Sequence, residues 1–197
     1  MNTRNVIFAS AVAASLLIGC NHRHKSDSKS MDTSATAMAM NKKVAVAHVM
    51  PAQSTATQPS WGKPMGDIVF TQMGDKVHVT GTITGLPPGK HGIHIHDKGD
   101  LSAPDLMSTG GHFNPEHHMH GGPSTSPVHA GDLGNITADS SGKAMMDLTV
   151  DDITIGGDHN DILGHAVIIH AKEDDLKSQP AGNAGARIAG GVIEMQK

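Results

Sequence analysis

From Lys43 onward, the apolar residues of this 197-residue chain recur at a spacing close to two. Val44 and Val46, Ile68 and Phe70, Val77 and Val79, and Ile93 and Ile95 carry the pattern, Ile83 continues it, and segments 144–150, 164–171 and 186–195 extend it. A strand sends successive side chains to opposite faces, whereas a helix places its apolar residues three and four apart, so this spacing predicts short strands. Gly74-Asp75, the corner Gly85-Leu86-Pro87-Pro88-Gly89 and Ser140-Ser141-Gly142-Lys143 mark turns between them. With a weaker strand at 133–137 the count reaches eight, a number suited to an all-β antiparallel barrel or sandwich. Two stretches, 98–132 and 172–185, lack the pattern, and long connections of that kind are functional or disordered. With no Tyr, one Trp and three Phe, the core has to come from Val, Ile, Leu, Ala and Met, and the 12 methionines read as core filling.

The length suits one ordinary domain. A net charge of −4 and the scarcity of aromatic residues provide neither a basic surface nor a stacking platform, which argues against a nucleic-acid partner. The N-terminus has a different character. Arg4 precedes an apolar run from Val6 to Ile18, too short to span a bilayer but suited to a secretory signal. The run ends in Leu17-Ile18-Gly19-Cys20, which resembles a bacterial lipobox with lipidation at the only cysteine of the chain. The competing reading is an ordinary signal, or a buried apolar segment with an incidental cysteine. On the lipoprotein reading, residues 1–19 are a signal peptide, 20–42 a flexible linker from the lipidated Cys20, and 43–197 the folded domain. The protein would be exported and anchored to a membrane of the cell envelope, on its periplasmic or cell-surface face. Losing Arg4 leaves 14 basic against 19 acidic side chains, a net charge of −5. His22, His24, Met31, Met38 and Met40 are of types that copper accepts, although a solvated spacer is the favoured reading of them.

Eight of the 15 histidines lie between His91 and His129. His94 and His96 are two apart and share one face of an extended strand, with Cα atoms about 7 Å apart, so both imidazoles can reach one metal ion. His91 has the parity of Ile93 and Ile95, which face the core, and reads as structural. His112, His120, His129 and Asp132 follow in the irregular stretch, a set of three imidazoles and a carboxylate that tetrahedral zinc accepts. Binding an ion there would organise a loop with little core of its own. His170, ending the apolar run Ala166-Val167-Ile168-Ile169, is placed to complete the His94 and His96 pair.

The segments Gly92-Ile93-His94-Ile95-His96-Asp97-Lys98-Gly99-Asp100, Gly111-His112-Phe113-Asn114-Pro115, His120-Gly121-Gly122-Pro123, His129-Ala130-Gly131-Asp132-Leu133-Gly134-Asn135-Ile136, Ala166-Val167-Ile168-Ile169-His170-Ala171-Lys172-Glu173-Asp174-Asp175 and Gly182-Asn183-Ala184-Gly185-Ala186-Arg187-Ile188-Ala189 occur in order. Together they resemble copper,zinc superoxide dismutase over 43–197. The resemblance implies a Greek-key barrel with two long functional loops, copper on His94, His96, His112 and His170, and zinc on His112, His120, His129 and Asp132. His112 would bridge the ions as imidazolate. It further implies that Asp174 links a copper histidine to a zinc histidine through hydrogen bonds and that Arg187 orients the anion beside copper. The implied reaction is dismutation of superoxide to dioxygen and hydrogen peroxide by alternating Cu(II) and Cu(I), with His112 releasing copper and taking up a proton on reduction. Lys172 and Lys177 are further candidates for the local positive field that an anionic substrate requires. Outside this context Arg187 would read as a solvated charge at a strand start.

One departure stands out. Leu101 and Gly190 occupy the positions where the family usually carries a disulfide, which puts in doubt the rigidity of 101–110 and the pose of Arg187, and shifts the stability of the fold toward zinc. His117 and His118 are surplus to the motif and read as loop surface, while His48, His78, His159 and His165 have no ligand spacing and read as structural. Two rivals remain: a non-enzymatic exported copper- and zinc-binding lipoprotein, and a metal-dependent hydrolase or cupin-like enzyme built on His94 and His96. Oligomeric state is not legible, and a homodimer stays open.

Overall fold

The computed structural model describes residues 42–53 and 62–197. The eight expected strands form: β1 (Val44–Pro51), β2 (Gly66–Met73), β3 (Lys76–Ile83), β4 (Gly89–His96), β5 (Asp132–Ala138), β6 (Ala144–Val150), β7 (Ala166–His170) and β8 (Arg187–Met195). They close into an antiparallel barrel in the order β1-β2-β3-β6-β5-β4-β7-β8. The chain crosses from β3 to β4 and returns through β5 to β6, which is the Greek-key path. The β2–β3 hairpin pairs Met73 with Lys76 around Gly74-Asp75, and Gly74 takes the left-handed φ of 66° that such a tight turn demands.

Alternation decides what faces inward. Ile68 and Phe70 of β2, Val77 and Val79 of β3 and Ile93 and Ile95 of β4 are fully buried in one core cluster. A third irregular connection, 151–165, also contributes to this core, because Ile153, Ile155 and Ile162 are buried in it. The period-two pattern gave no sign of this plug, since its apolar residues belong to no strand.

The methionines do not fill the core. Only Met65 and Met146 are buried among the described residues, while Met73, Met107, Met119 and Met145 are 53–71% exposed, and Met50 and Met195 are also exposed. Branched Val and Ile, stiff at χ1 and suited to a pleated wall, take the interior instead.

The segment facing the missing cross-link is held by packing. Leu106 is buried with Ala52, Ala166 and Ile168, and Leu101 packs against this small cluster. A Cβ on Gly190 would lie 2.7 Å from Ile168 Cδ1 and 3.3 Å from Leu106 Cδ1, so the side chains fill the space that a residue larger than glycine would need. Apolar contact thus packs this segment against β7 and β8, where the sequence left its rigidity in doubt. Leu106→Ala should therefore cost about 2–5 kcal/mol of stability, measured by urea unfolding against the parent protein.

Candidate metal centre

Strand β4 is buried on both faces over His91–His96. Its inward face is Ile93 and Ile95, and its outward face carries His94 and His96 beneath the connections 97–131 and 171–186. His91 is structural, as its parity implies: its two ring nitrogens lie 2.8 Å from the carbonyl oxygens of His170 and Pro87. The connection after β4 folds back so that His112 forms an isolated antiparallel bridge with His96. Asp132 opens β5 directly opposite His94, beside a bulge in the β4–β5 register. A second bulge, between Ile169 and His170, brings His170 opposite Arg187.

These placements gather seven side chains into two adjoining quartets. Potential ligand atoms of His94, His96, His112 and His170 all lie within 4.8 Å of one another, and so do those of His112, His120, His129 and Asp132. His112 belongs to both. Its ring stacks on that of His94 with centroids 3.9 Å apart. The structure thus brings together the seven side chains at 94–170 that the sequence singled out as ligand types.

His96 and His170 are each oriented through one nitrogen and leave the other for the shared space. His96 Nδ1 donates to the Gly110 carbonyl at 3.0 Å, and His170 Nδ1 donates to that of Gly185 at 3.1 Å, while their Nε2 atoms face each other at 3.3 Å. Asp174 bridges the quartets: Oδ2 accepts from His94 Nε2 at 2.7 Å, and Oδ1 accepts from His120 Nε2 at 3.0 Å. Asp132 Oδ1 lies 2.8, 3.0 and 3.2 Å from the Nδ1 atoms of His112, His120 and His129, and Gly121 N donates to Oδ2. Gly182, at φ 62°, is required beside Asp174, because a Cβ there would lie 1.7 Å from Asp174 Oδ1.

Asn135 and Gln179 add support that the motifs did not reveal. Asn135 pairs with both backbone groups of Asp174 through its side-chain amide, and Gln179 pairs with those of His120. Their only sequence signal is a polar side chain within or near the motif segments. His117 is exposed, His118 is partly buried with Nδ1 on the Val128 carbonyl, and neither joins a quartet. His22, His24 and Cys20 lie outside the described residues.

Two atoms test whether a metal suits this arrangement. His94 Nδ1 and His112 Nε2 are buried and have no hydrogen-bond partner. Such atoms are costly in a protein interior unless something coordinates them. Their position in the quartet of four imidazoles fits an ion that accepts nitrogen ligands.

Electrostatics separates the rings. Burial, with the neighbouring His112, Arg187 and His170, pushes His96 far below the usual imidazole range. Burial also lowers His112 to about 4 and His170 to about 3. For His120, burial opposes the charged form, but hydrogen bonds to Asp132 and Asp174 outweigh it and raise the ring to about 9. Burial would raise both aspartates, yet the donors around Asp132 and Asp174 hold each below the carboxylate range.

Arg187 opens β8 and reaches across to the connection after β4. Its Nη1 donates to the Leu106 carbonyl at 2.7 Å and to Thr109 Oγ1 at 2.9 Å, and its Nη2 donates to the Gly110 carbonyl at 2.6 Å. Thr109 Oγ1 also contacts His96 Nδ1 at 3.3 Å, so one hydroxyl links the guanidinium to the first quartet. The pose of Arg187 is thus fixed without a disulfide.

An eight-stranded barrel that carries on its outer wall one quartet of four histidines and one of three histidines and an aspartate defines a β-barrel metalloprotein. The family model described as copper/zinc superoxide dismutase matches residues 64–193, and the chain belongs to that family. It dismutes superoxide, with copper and zinc as its metals. An extracellular superoxide dismutase [Cu-Zn] of Haemonchus contortus is 44% identical over 137 residues, covering 66% of this chain and 74% of the relative. The solved structure titled as the clock protein EA4 is 45% identical, with a TM-score of 0.67, covering 79% of this chain and 96% of that one.

The pH dependence of the metal-free protein follows from the shifted rings. His96, His112 and His170 are lowered on folding, so their contribution is complete above the unfolded value of about 6.5 and is lost as the pH falls toward 4 and 3. His120 has the opposite sign: its contribution is complete below about 6.5 and is lost as the pH rises through 9. With three rings against one, the melting temperature of metal-free protein should fall steeply from pH 6.5 to 4 and more gently from 6.5 to 9. A flat profile on the acid side in scanning calorimetry would contradict this assignment.

Proposed function

We propose that copper is held by His94, His96, His112 and His170, and zinc by His112, His120, His129 and Asp132. The observation that carries this reading is the pair of unpartnered buried nitrogens, His94 Nδ1 and His112 Nε2, within the all-imidazole quartet. When bound, copper would supply a one-electron couple for the dismutation, and zinc would supply fixed positive charge. The mixed quartet, with its carboxylate, suits zinc, and the all-nitrogen quartet suits copper.

The protein groups do the positioning. His112 spans the two sites, with Nδ1 beside Asp132 and Nε2 on the copper side, and Nε2 is the atom at which a proton can be held for the reduced oxygen species. Asp174 fixes one nitrogen each of His94 and His120, leaving the opposite ring nitrogen to face its quartet. Arg187 holds positive charge next to the His96 side of the site, where a small anion can be captured by a chain of negative net charge. Lys172 and Lys177, exposed on 171–186, can extend that field.

Purified protein should contain one copper and one zinc and consume superoxide, and Arg187→Ala should retain both metals. Its capture rate should drop about tenfold and lose most of its salt dependence. Metal analysis beside pulse-radiolysis kinetics over a range of salt measures both, and an unchanged rate would remove Arg187 from the mechanism. The rival of a non-enzymatic metal-binding lipoprotein has no support from the family membership.

We also propose that the chain is a bacterial-type lipoprotein: signal 1–19, lipidated Cys20, linker 20–42 and enzyme domain 43–197, facing the periplasm or the cell surface. Gly19-Cys20 at the end of the apolar run supports the anchor. The extracellular designation of the nematode relative supports export, though not a lipid. Among the described residues, no helix is long and apolar enough to cross a membrane. Cys20→Ser should move the protein from the detergent phase to the aqueous phase in partitioning and abolish labelling by fatty acid, without loss of dismutase activity. Unchanged partitioning would refute the anchor. A homodimer is retained as a possible assembly of the enzyme domain, to be checked by sedimentation.

A further inference from the structure

Outside the two quartets, a third group of ligand-type side chains converges where two connections meet. Glu116 lies between His112 and His120 on the connection after β4, and Asp152 and His159 lie on 151–165. Potential ligand atoms of all three lie within 4.8 Å of one another. His159 Nε2 is 3.3 Å from Glu116 Oε1 and 3.7 Å from Asp152 Oδ1. Glu116 turns its other oxygen, Oε2, toward His118 Nδ1 at 3.5 Å.

The charge balance is what sets this group apart from an ordinary surface ion pair. Two carboxylates, 38% and 46% exposed, share one imidazole that is 62% exposed; Asp152 Oδ1 also accepts from Asn160 Nδ2 at 3.3 Å, and among the described residues neither Glu116 nor Asp152 has a Lys or Arg within ion-pair distance. Bringing two anions together is unfavourable by an amount that water screens at such exposure, and a dication would balance both at once. The ligand types also fit: one imidazole nitrogen with two carboxylate oxygens, leaving room for water, is a set used by zinc and related first-row dications.

The backbone that carries Asp152 and His159 is held in place independently of any ion. Asn160 Nδ2 donates to the Asp152 carbonyl at 2.9 Å, Thr154 N donates to the Asn160 carbonyl, and Gly156 N donates to Asp161 Oδ1. Ile153, Ile155 and Ile162 anchor the same stretch in the core. Only Glu116 lies on the other connection. His159 has no ligand spacing in the sequence because its partner residues are 7 and 43 positions away.

We infer that Glu116, Asp152 and His159 form a third metal site, separate from the copper and zinc centre, which binds a divalent transition-metal ion such as Zn²⁺. An ion there ties the connection bearing His112, His120 and His129 to the buried plug 151–165. This site stands on its own side chains and does not depend on how the quartets divide copper and zinc.

The test uses full-length protein with copper and zinc already loaded and excess metal removed. Titrated with Zn²⁺ in a calorimeter, the parent should take up one more ion than His159→Ala or Asp152→Asn, in which binding at this site weakens by about tenfold or more. Because all three proteins carry the same N-terminal histidines, uptake at 1–41 cancels in the comparison. The same Zn²⁺ should raise the melting temperature of the parent and leave both variants unmoved, while superoxide consumption stays equal in all three. Equal uptake by parent and variants would overturn the site, as would a thermal shift that survives His159→Ala.

Discussion

A carboxylate inside a protein must be surrounded by donors, and in this barrel imidazoles are the donors. Asp132 collects three rings on one oxygen and a backbone amide on the other, and Asp174 joins one ring from each quartet. The side chains of both are fully buried. These two anions position His94, His112, His120 and His129, while the carbonyls of Gly110 and Gly185 orient His96 and His170. Removing either charge would leave several buried rings without orientation, a far larger effect than losing one surface contact.

Most of the fold was legible because alternation is a strong signal and this core relies on it. Ile93 against His94, and Ile95 against His96, place hydrocarbon inside and chemistry outside from a single run of residues. The ligand-type residues were legible as well: His94 and His96 from strand parity, and His112, His120, His129 and Asp132 from their types in one irregular stretch, while the double role of His112 came from motif resemblance, since loop residues carry no periodicity. What escaped the sequence lay in contacts without a pattern. The three buried isoleucines of 151–165, the amides of Asn135 and Gln179, and the convergence of Glu116 with His159 all require knowing which loops meet. The methionines misled for another reason: composition counts residues without saying which side of a wall they occupy.

The position of the absent cross-link shows how packing can stand in for a covalent bond. A disulfide acts mainly on the unfolded chain, whereas Leu106 and Ile168 closing over Gly190 act on the folded one. Three hydrogen bonds from Arg187 then fasten the same segment from the other side. The guanidinium is therefore both a charge near the centre and a clasp on the loop beside it, and the two roles are coupled through Thr109.

The outward-facing thioethers bear on how such a molecule ages. Dismutation releases hydrogen peroxide, and Met73, Met107, Met119 and Met145 meet solvent, while the barrel interior is mostly hydrocarbon, with Met65 and Met146 its two thioethers among the described residues. Conversion of these sulfurs to sulfoxides adds polarity where water already is, and leaves the interlocked isoleucines and valines as they were. Oxidative wear thus falls on an expendable rind of the molecule and can be reversed by reductases without unfolding it.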